Sequence, residues 1–266
     1  MFQNTEILSK EARLDALKMI QEAGSSHIGS NFSIAEILAT LYTRFLKIDP
    51  SSPKLESRDR FFLSKGHAVA ILYSILARLD FFPLNKLQTF YKKDSLLLGH
   101  AHYKVPGIEL STGSLGHALS VATGVALAGK KRSKDFKSVV LLSDGELDEG
   151  SNWEAILFAS HHQLNNLYIV IDYNKIQSLD KVENTVRLEP LKSKFEAFNC
   201  EVLECNGHNC DDIENKLKSF SKNAPHVLIA NTMKGRGVSF MENTVLWHYR
   251  CPKNEEYNLA REELLK

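Results

Sequence analysis

Two apolar runs of the chain end in oxygen-bearing side chains. Residues 138–142 (SVVLL) lead into Ser143-Asp144-Gly145-Glu146, and residues 167–172 (LYIVID) lead into Tyr173-Asn174-Lys175-Ile176. Asp144 and Asn174 stand 30 residues apart, and a carboxylate and an amide oxygen delivered to one place can share a hard cation. Mg2+ is ordinarily held by one or two side chains together with substrate phosphates, so the pair calls for a phosphorylated ligand. Gly145 lets such a ligand approach the backbone, and the amides entering the next helix favour an anion. The same residues also read as an ordinary Asp-Gly turn and a loop asparagine, and spacing alone leaves both readings open.

Histidine supplies a second set of chemical groups. His27 lies in GSSHIGS, His67 in SKGHA, His100 and His102 in LGHAHYK, and His248 in LWHYR, several of them beside glycine. Imidazole is the side chain suited to moving protons near neutral pH, and a neighbouring glycine lets its ring come close to a ligand. Singly, each also reads as a polar loop residue; His117, His161, His162, His208 and His226 keep that reading. There is no HExxH, and no spacing fixes three histidines on one metal. The run Gly124-Val-Ala-Leu-Ala-Gly129-Lys130 imitates a P-loop, but Lys131 takes the place of the Ser or Thr that would hold a metal, and no strand precedes it.

The elements that must position these groups follow from pattern. Runs 138–142, 167–172, 200–205 and 226–230 are short and apolar or β-branched, and helical stretches at 150–162 and 211–222 lie between them. Continuous apolar strands alternating with helices imply an α/β fold, a mostly parallel sheet with helices on both faces, with ligands beyond the carboxyl ends of its strands. An amphipathic helix over 5–23 is stopped by Gly24, and 33–46 reads as a second helix with Ser33 as N-cap and Glu36 completing a capping box. Residues 110–129 carry no Asp, Glu, Lys or Arg, but their Ser, Thr, His and Gly content favours a buried helix after a Gly-rich loop over a membrane span.

Composition narrows the function classes. The 266 residues are 43% hydrophobic and 24% charged, with a net charge of +1. That composition suits a globular protein, and the near-neutral balance gives no field for nucleic acid or anionic lipid. Cys200, Cys205, Cys210 and Cys251 form no CxxC pair, and reduced thiols in a cytoplasmic protein are expected. The N-terminus has no apolar core of a secretory signal. With no linker or repeat, residues 1–266 are expected to form one domain.

The ordered segments GSSHIGS, SIAEILATLY, RDRFFLSKGHA, LLGHAHYKVPGIELSTGSLGHALSVATGVALA, SDGELDEGSNWEA, NLYIVIDYNKIQ and KGRGVSFMENTVLWH together resemble the N-terminal part of transketolase. The resemblance covers nearly the whole chain and is closest to the N-terminal subunit of the split, two-chain transketolases. It implies a thiamine diphosphate enzyme in which this chain binds the diphosphate and a Mg2+ or Ca2+ ion. By the same matching the metal falls to Asp144, Asn174 and the Ile176 carbonyl, corresponding to the family's GDG…N signature. His67, Gly145 and His248 would contact the diphosphate region. Gly113, Ser114 and Leu115 would line the thiazolium and aminopyrimidine. His27, His100 and His248 would face donor-sugar hydroxyls and move protons. Glu149, grouped with the cofactor-binding residues, and Glu154 match acidic residues that reach the subunit interface and connect paired active sites.

In the family the glutamate that starts cofactor deprotonation lies on a separate pyrimidine-binding domain. The resemblance therefore implies a second, C-terminal subunit, joined with this chain in an α2β2 assembly that transfers a two-carbon ketol unit between sugar phosphates. Departures are Ser143 for the first Gly of GDG, Tyr173 before Asn174, and Ala101-His102 after His100. The alternatives are a related thiamine diphosphate enzyme acting on another keto sugar, and a non-catalytic cofactor-binding scaffold.

Overall fold

The computed structural model describes residues 4–266. Five strands, β1 (Arg60–Leu63), β2 (Ser138–Ser143), β3 (Leu167–Tyr173), β4 (Glu201–Asn206) and β5 (His226–Asn231), form one sheet in the order β1-β2-β3-β5-β4. Every pairing is parallel. The helices in chain order are α1 (Thr5–Ala23), α2 (Ile28–Phe32), α3 (Ala35–Thr40), α4 (Val69–Arg78), α5 (Ala118–Lys131) and α6 (Gly150–His161). They are followed by α7 (Val182–Thr185), α8 (Leu191–Ala197), α9 (Cys210–Ser219) and α10 (Glu255–Leu265).

The strands sort their side chains by the two-residue period of a pleated sheet. Val139, Leu141, Val170 and Leu228 face a core shared with α1, α3, α4, α9 and α10. Val140, Leu142, Ile169, Ile171, Val227 and Ile229 face a second core built with α5, α6 and α8. Both faces are covered, so β2 is buried along its whole length and reads as an unbroken apolar run.

Helix α1 begins where the Asn4 side chain accepts from the Ile7 amide at 3.0 Å and ends at Gly24, whose φ of +59° is the left-handed conformation that terminates helices. The second expected helix differs from its reading. Residues 28–32 are already helical, and α3 starts at Ala35 and widens into a π turn over Leu41–Phe45. Ser33 is not the N-cap of a helix but closes α2, its amide donating to the Gly29 carbonyl at 3.2 Å; its hydroxyl donates to Asp172 Oδ2 at 2.7 Å, and Glu36 pairs with Arg13 and His208.

β1, α4, α7, α8 and α10 stand at positions where the sequence reading placed no element. The Gly-rich loop before α5 is as expected, and the P-loop-like run lies inside α5, where it is helical. Among the described residues no helix is long and apolar enough to cross a membrane. All four cysteine thiols are free and buried, and burial pushes those of Cys200 and Cys205 up to about 12.

Candidate active site

Parallel strands deliver their C-terminal residues to one edge, and β2 and β3 pair so that Ser143 lies beside Asp172. Asp144 and Asn174 therefore emerge together, both buried. The Asp144 carboxylate accepts from the Gly145 amide at 2.8 Å and the Lys175 amide at 2.6 Å. Asn174 Oδ1 accepts from the Ile176 amide at 3.1 Å. Burial, reinforced by the neighbouring Asp172 carboxylate, pushes Asp144 up to about 7. A buried carboxylate raised in this way is stabilised by any cation that joins it.

The donor set suits a hard divalent ion: one carboxylate, one amide oxygen and the Ile176 carbonyl, all oxygens. Ile176 and Gln177 already turn their carbonyls onto a positive charge, since Lys234 Nζ donates to both at 3.0 Å. Among the described residues no group of three His, Cys, Asp or Glu side chains converges as a metal site, so any metal here depends on neutral oxygens and on a ligand's own phosphates.

Four of the expected histidines meet. The ring centre of His27 lies 4.9 Å from that of His67, 5.1 Å from His248 and 6.2 Å from His100. Residues from opposite ends of the chain are stitched together there, the His27 amide donating to the His248 carbonyl at 2.8 Å. His27 has a φ of +72°, rare for a side-chain-bearing residue and stabilised here by the surrounding contacts. Desolvation, aided by His100 and Lys234, lowers His27 to about 4; desolvation and Lys234 lower His248 to about 3. Burial likewise holds His67 well below its ordinary value, with Lys65 the next contributor. These three imidazoles are neutral at pH 7.

Lys234 joins the oxygen set to the histidine set, because the nitrogen that reaches Ile176 and Gln177 also lies 3.0 Å from His248 Nδ1. It is buried, and desolvation lowers its ammonium to about 8. Lys65, also buried, pairs with Asp172 at 2.5 Å and donates to the Ser30 carbonyl at 3.0 Å. The Lys65 charge is met by Asp172, whereas Lys234 bonds only to neutral groups, and its ammonium beside neutral imidazoles makes a place for an anion.

Gly113 packs on His100, where a Cβ would lie 3.1 Å from the ring. The loop carrying Gly113, Ser114 and Leu115 is tied down at Gly116, whose amide donates to Glu146 Oε1 at 2.9 Å; Ser64 Oγ donates to the same oxygen at 2.5 Å. Gly145 approaches the Gln177 side chain. Glu149 and Glu154 do not join the cluster, being exposed at the start of α6 and along it.

The site residues that sequence reasoning missed are Lys65, Lys234, Asp172 and Glu146. All four stand inside the quoted segments, but nothing in the sequence separates a buried lysine from a surface one. Glu146 follows Gly145 directly and carried no signal beyond that position.

Residues 4–265 match the family model described as transketolase, thiamine diphosphate binding domain. The chain is 43% identical over 263 residues to an apulose-4-phosphate transketolase subunit of Actinobacillus succinogenes, covering 97% of this chain and 95% of that one. It is 38% identical over 253 residues to 6-deoxy-6-sulfo-D-fructose transketolase subunit SqwG of a Clostridium species, covering 94% and 92%. The crystal structure of transketolase from Campylobacter jejuni superposes with a TM-score of 0.93 at 32% identity, over 99% of this chain and 43% of that one. The chain thus spans less than half of that transketolase polypeptide and nearly all of the two subunits.

Proposed function

The chain belongs to the transketolase thiamine diphosphate-binding domain family, and from that premise we propose that it is the N-terminal subunit of a two-chain transketolase. In this reading it transfers a two-carbon ketol unit from a ketose phosphate to an aldose phosphate together with a C-terminal subunit, as an α2β2 assembly in the cytoplasm. The observation that carries the reading is the meeting, at one sheet edge, of the Asp144–Asn174–Ile176 oxygens and the histidine cluster, joined through Lys234.

Asp144, Asn174 and the Ile176 carbonyl would hold Mg2+ or Ca2+. Gly145, His67 and His248, with the ammonium group of Lys234, would receive the diphosphate, and Gly113, Ser114 and Leu115 would line the cofactor's rings. When bound, thiamine diphosphate supplies the electron sink for carbon–carbon cleavage, and the divalent ion ties the diphosphate to the protein.

The protein's own contribution is orientation and proton handling. Charged Lys234 donates to His248 Nδ1, which leaves the proton of that ring on Nε2 and makes Nε2 a donor toward a sugar hydroxyl. His27 is neutral at working pH and turns Nδ1 to Ser26 Oγ at 3.1 Å; it is thereby a candidate proton acceptor, with His100 beside it. Glu149 and Glu154 would extend from α6 toward a subunit interface.

The relatives named for apulose 4-phosphate and 6-deoxy-6-sulfo-D-fructose favour a specialised ketose over a general pentose phosphate as the donor. The test is to mix this chain with its C-terminal subunit, Mg2+ and thiamine diphosphate, and to follow ketol transfer from a panel of ketose phosphates. Transfer that needs both chains is expected. Cofactor binding by the mixed chains without any transfer would favour the scaffold reading.

A further inference from the structure

A cavity of about 280 Å3 opens onto the histidine cluster. His27, His67 and His100 line it, as do Tyr91 and Tyr249, 58% and 59% exposed. Among the described residues its lining contains no Lys, Arg, Asp or Glu. A phosphate finds no fixed cation on this wall, whereas a polyol meets aromatic faces and hydroxyl groups, which suit C–H surfaces and sugar hydroxyls together.

Tyr91 is held in place at an energetic cost. Its φ of +62° is an outlier for an aromatic residue. Its amide donates to the Leu97 carbonyl at 2.8 Å. The ring lies so close to Gly99 that a Cβ there would stand 1.9 Å from Cε2, and it packs beside Phe90 with ring centres 5.8 Å apart. An exposed ring fixed by strain and by a glycine has no share in the core, and strain of this kind concentrates at sites that contact ligands. Tyr249 follows His248 directly, its ring centre 4.8 Å from the imidazole. Each tyrosine is thus tied to the element that carries a reactive histidine: Tyr91 through Gly99 to His100, Tyr249 to His248.

We propose that Tyr91 and Tyr249 are specificity-determining residues that pack on the polyol chain of the sugar beyond the two carbons transferred. This rests on the transketolase reading for the identity of the sugar. Removing a ring should then penalise a donor with a polyol tail more than one carrying the same ketol unit on a carboxylate, hydroxypyruvate.

The experiment uses the complex of this chain with its C-terminal subunit, loaded with Mg2+ and thiamine diphosphate. Tyr91→Gly removes the ring at a φ that glycine adopts freely, so the fold is retained. Gly99→Ala keeps the ring but forces it off its seat. For both variants, and for Tyr249→Ala, kcat/KM for the ketose phosphate that the unsubstituted complex uses best, relative to hydroxypyruvate, is expected to fall about tenfold, mainly through KM. An unchanged ratio, with hydroxypyruvate turned over by the unsubstituted complex, overturns the assignment while the transketolase reading stands. If that complex turns over neither hydroxypyruvate nor any ketose phosphate of the panel, the transketolase reading fails, and calorimetric binding of D-arabinitol 5-phosphate decides the assignment: weakening by Tyr91→Gly supports it, and identical binding overturns it.

Discussion

The Asn174 side-chain nitrogen donates to Asp172 Oδ2 over 2.9 Å, so a residue below the site fixes the orientation of a residue within it. Only the nitrogen end of an amide can donate to a carboxylate, and Oδ1 is thereby turned to the Ile176 amide and the site. The same Asp172 oxygen receives Ser33 Oγ and Lys65 Nζ, and Oδ1 receives the Thr232 hydroxyl. Opposite charge and these hydrogen bonds outweigh the burial that opposes ionisation, and hold the Asp172 carboxyl below its ordinary range.

Asp172→Asn should destabilise the fold by about 3–5 kcal/mol, because it leaves Lys65 charged, buried and unpaired. Urea denaturation of the isolated chain measures this directly. Pairing the change with Lys65→Met should recover much of the loss; a double variant as unstable as the single one would remove the buried pair as the cause.

Asp144→Asn should separate the site from the fold. Both carboxylate oxygens accept from backbone amides, Gly145 and Lys175, and an asparagine can serve only one of them, so the folded chain should lose about 1–3 kcal/mol in a denaturation curve while remaining folded. Mg2+-dependent retention of thiamine diphosphate, followed by equilibrium dialysis, should fall by at least about 100-fold, beyond the loss of an outer-shell partner. Undiminished retention would exclude Asp144 as a metal ligand.

Glu146→Ala should loosen the loop that carries Gly113, Ser114 and Leu115. It abandons the Gly116 amide and the Ser64 hydroxyl together, and a buried polar group left unpaired costs about 1–3 kcal/mol. Weaker cofactor binding should accompany the lost stability. Full stability with full affinity would show that the loop holds itself.

The lowered imidazoles predict an acid-sensitive fold. His27 and His248 stay neutral in the folded chain down to about 4 and about 3, whereas unfolded they would protonate near 6.5. The stability they contribute is complete above pH 6.5 and is lost as pH falls toward those folded values. Denaturation at pH 7 and pH 5 should therefore cost wild type more stability than His27→Asn. Equal losses in both proteins would place the acid sensitivity elsewhere.

The sheet was legible because β2, β3, β4 and β5 are apolar runs separated by helical patterns, and burial on both faces is what makes such runs continuous. β1 escaped because Arg60–Leu63 is four residues long, too short for a pattern to show. The boundary near Ser33 was misread because its hydroxyl is recruited by Asp172 across the fold, a tertiary partner that no local rule contains. The oxygens and histidines were legible as residue types, and their shared location follows from strand ends and loops meeting at one edge. Lys65 and Lys234 were not, since what makes a lysine part of a site is burial beside other charges. That is a property of the packed chain.

The backbone bond from His27 to His248 closes a ring containing most of the polypeptide. Loop-closure entropy grows only with the logarithm of length, so a dozen residues inserted at the exposed turn 51–57, which the Asp59 amide closes locally onto the Lys47 carbonyl, would double that short loop at a cost of only about 0.6 kcal/mol. The reactive pocket is thereby insulated from drift in the length of the intervening chain. Its vulnerability is concentrated in the two short stretches where the stitch is made.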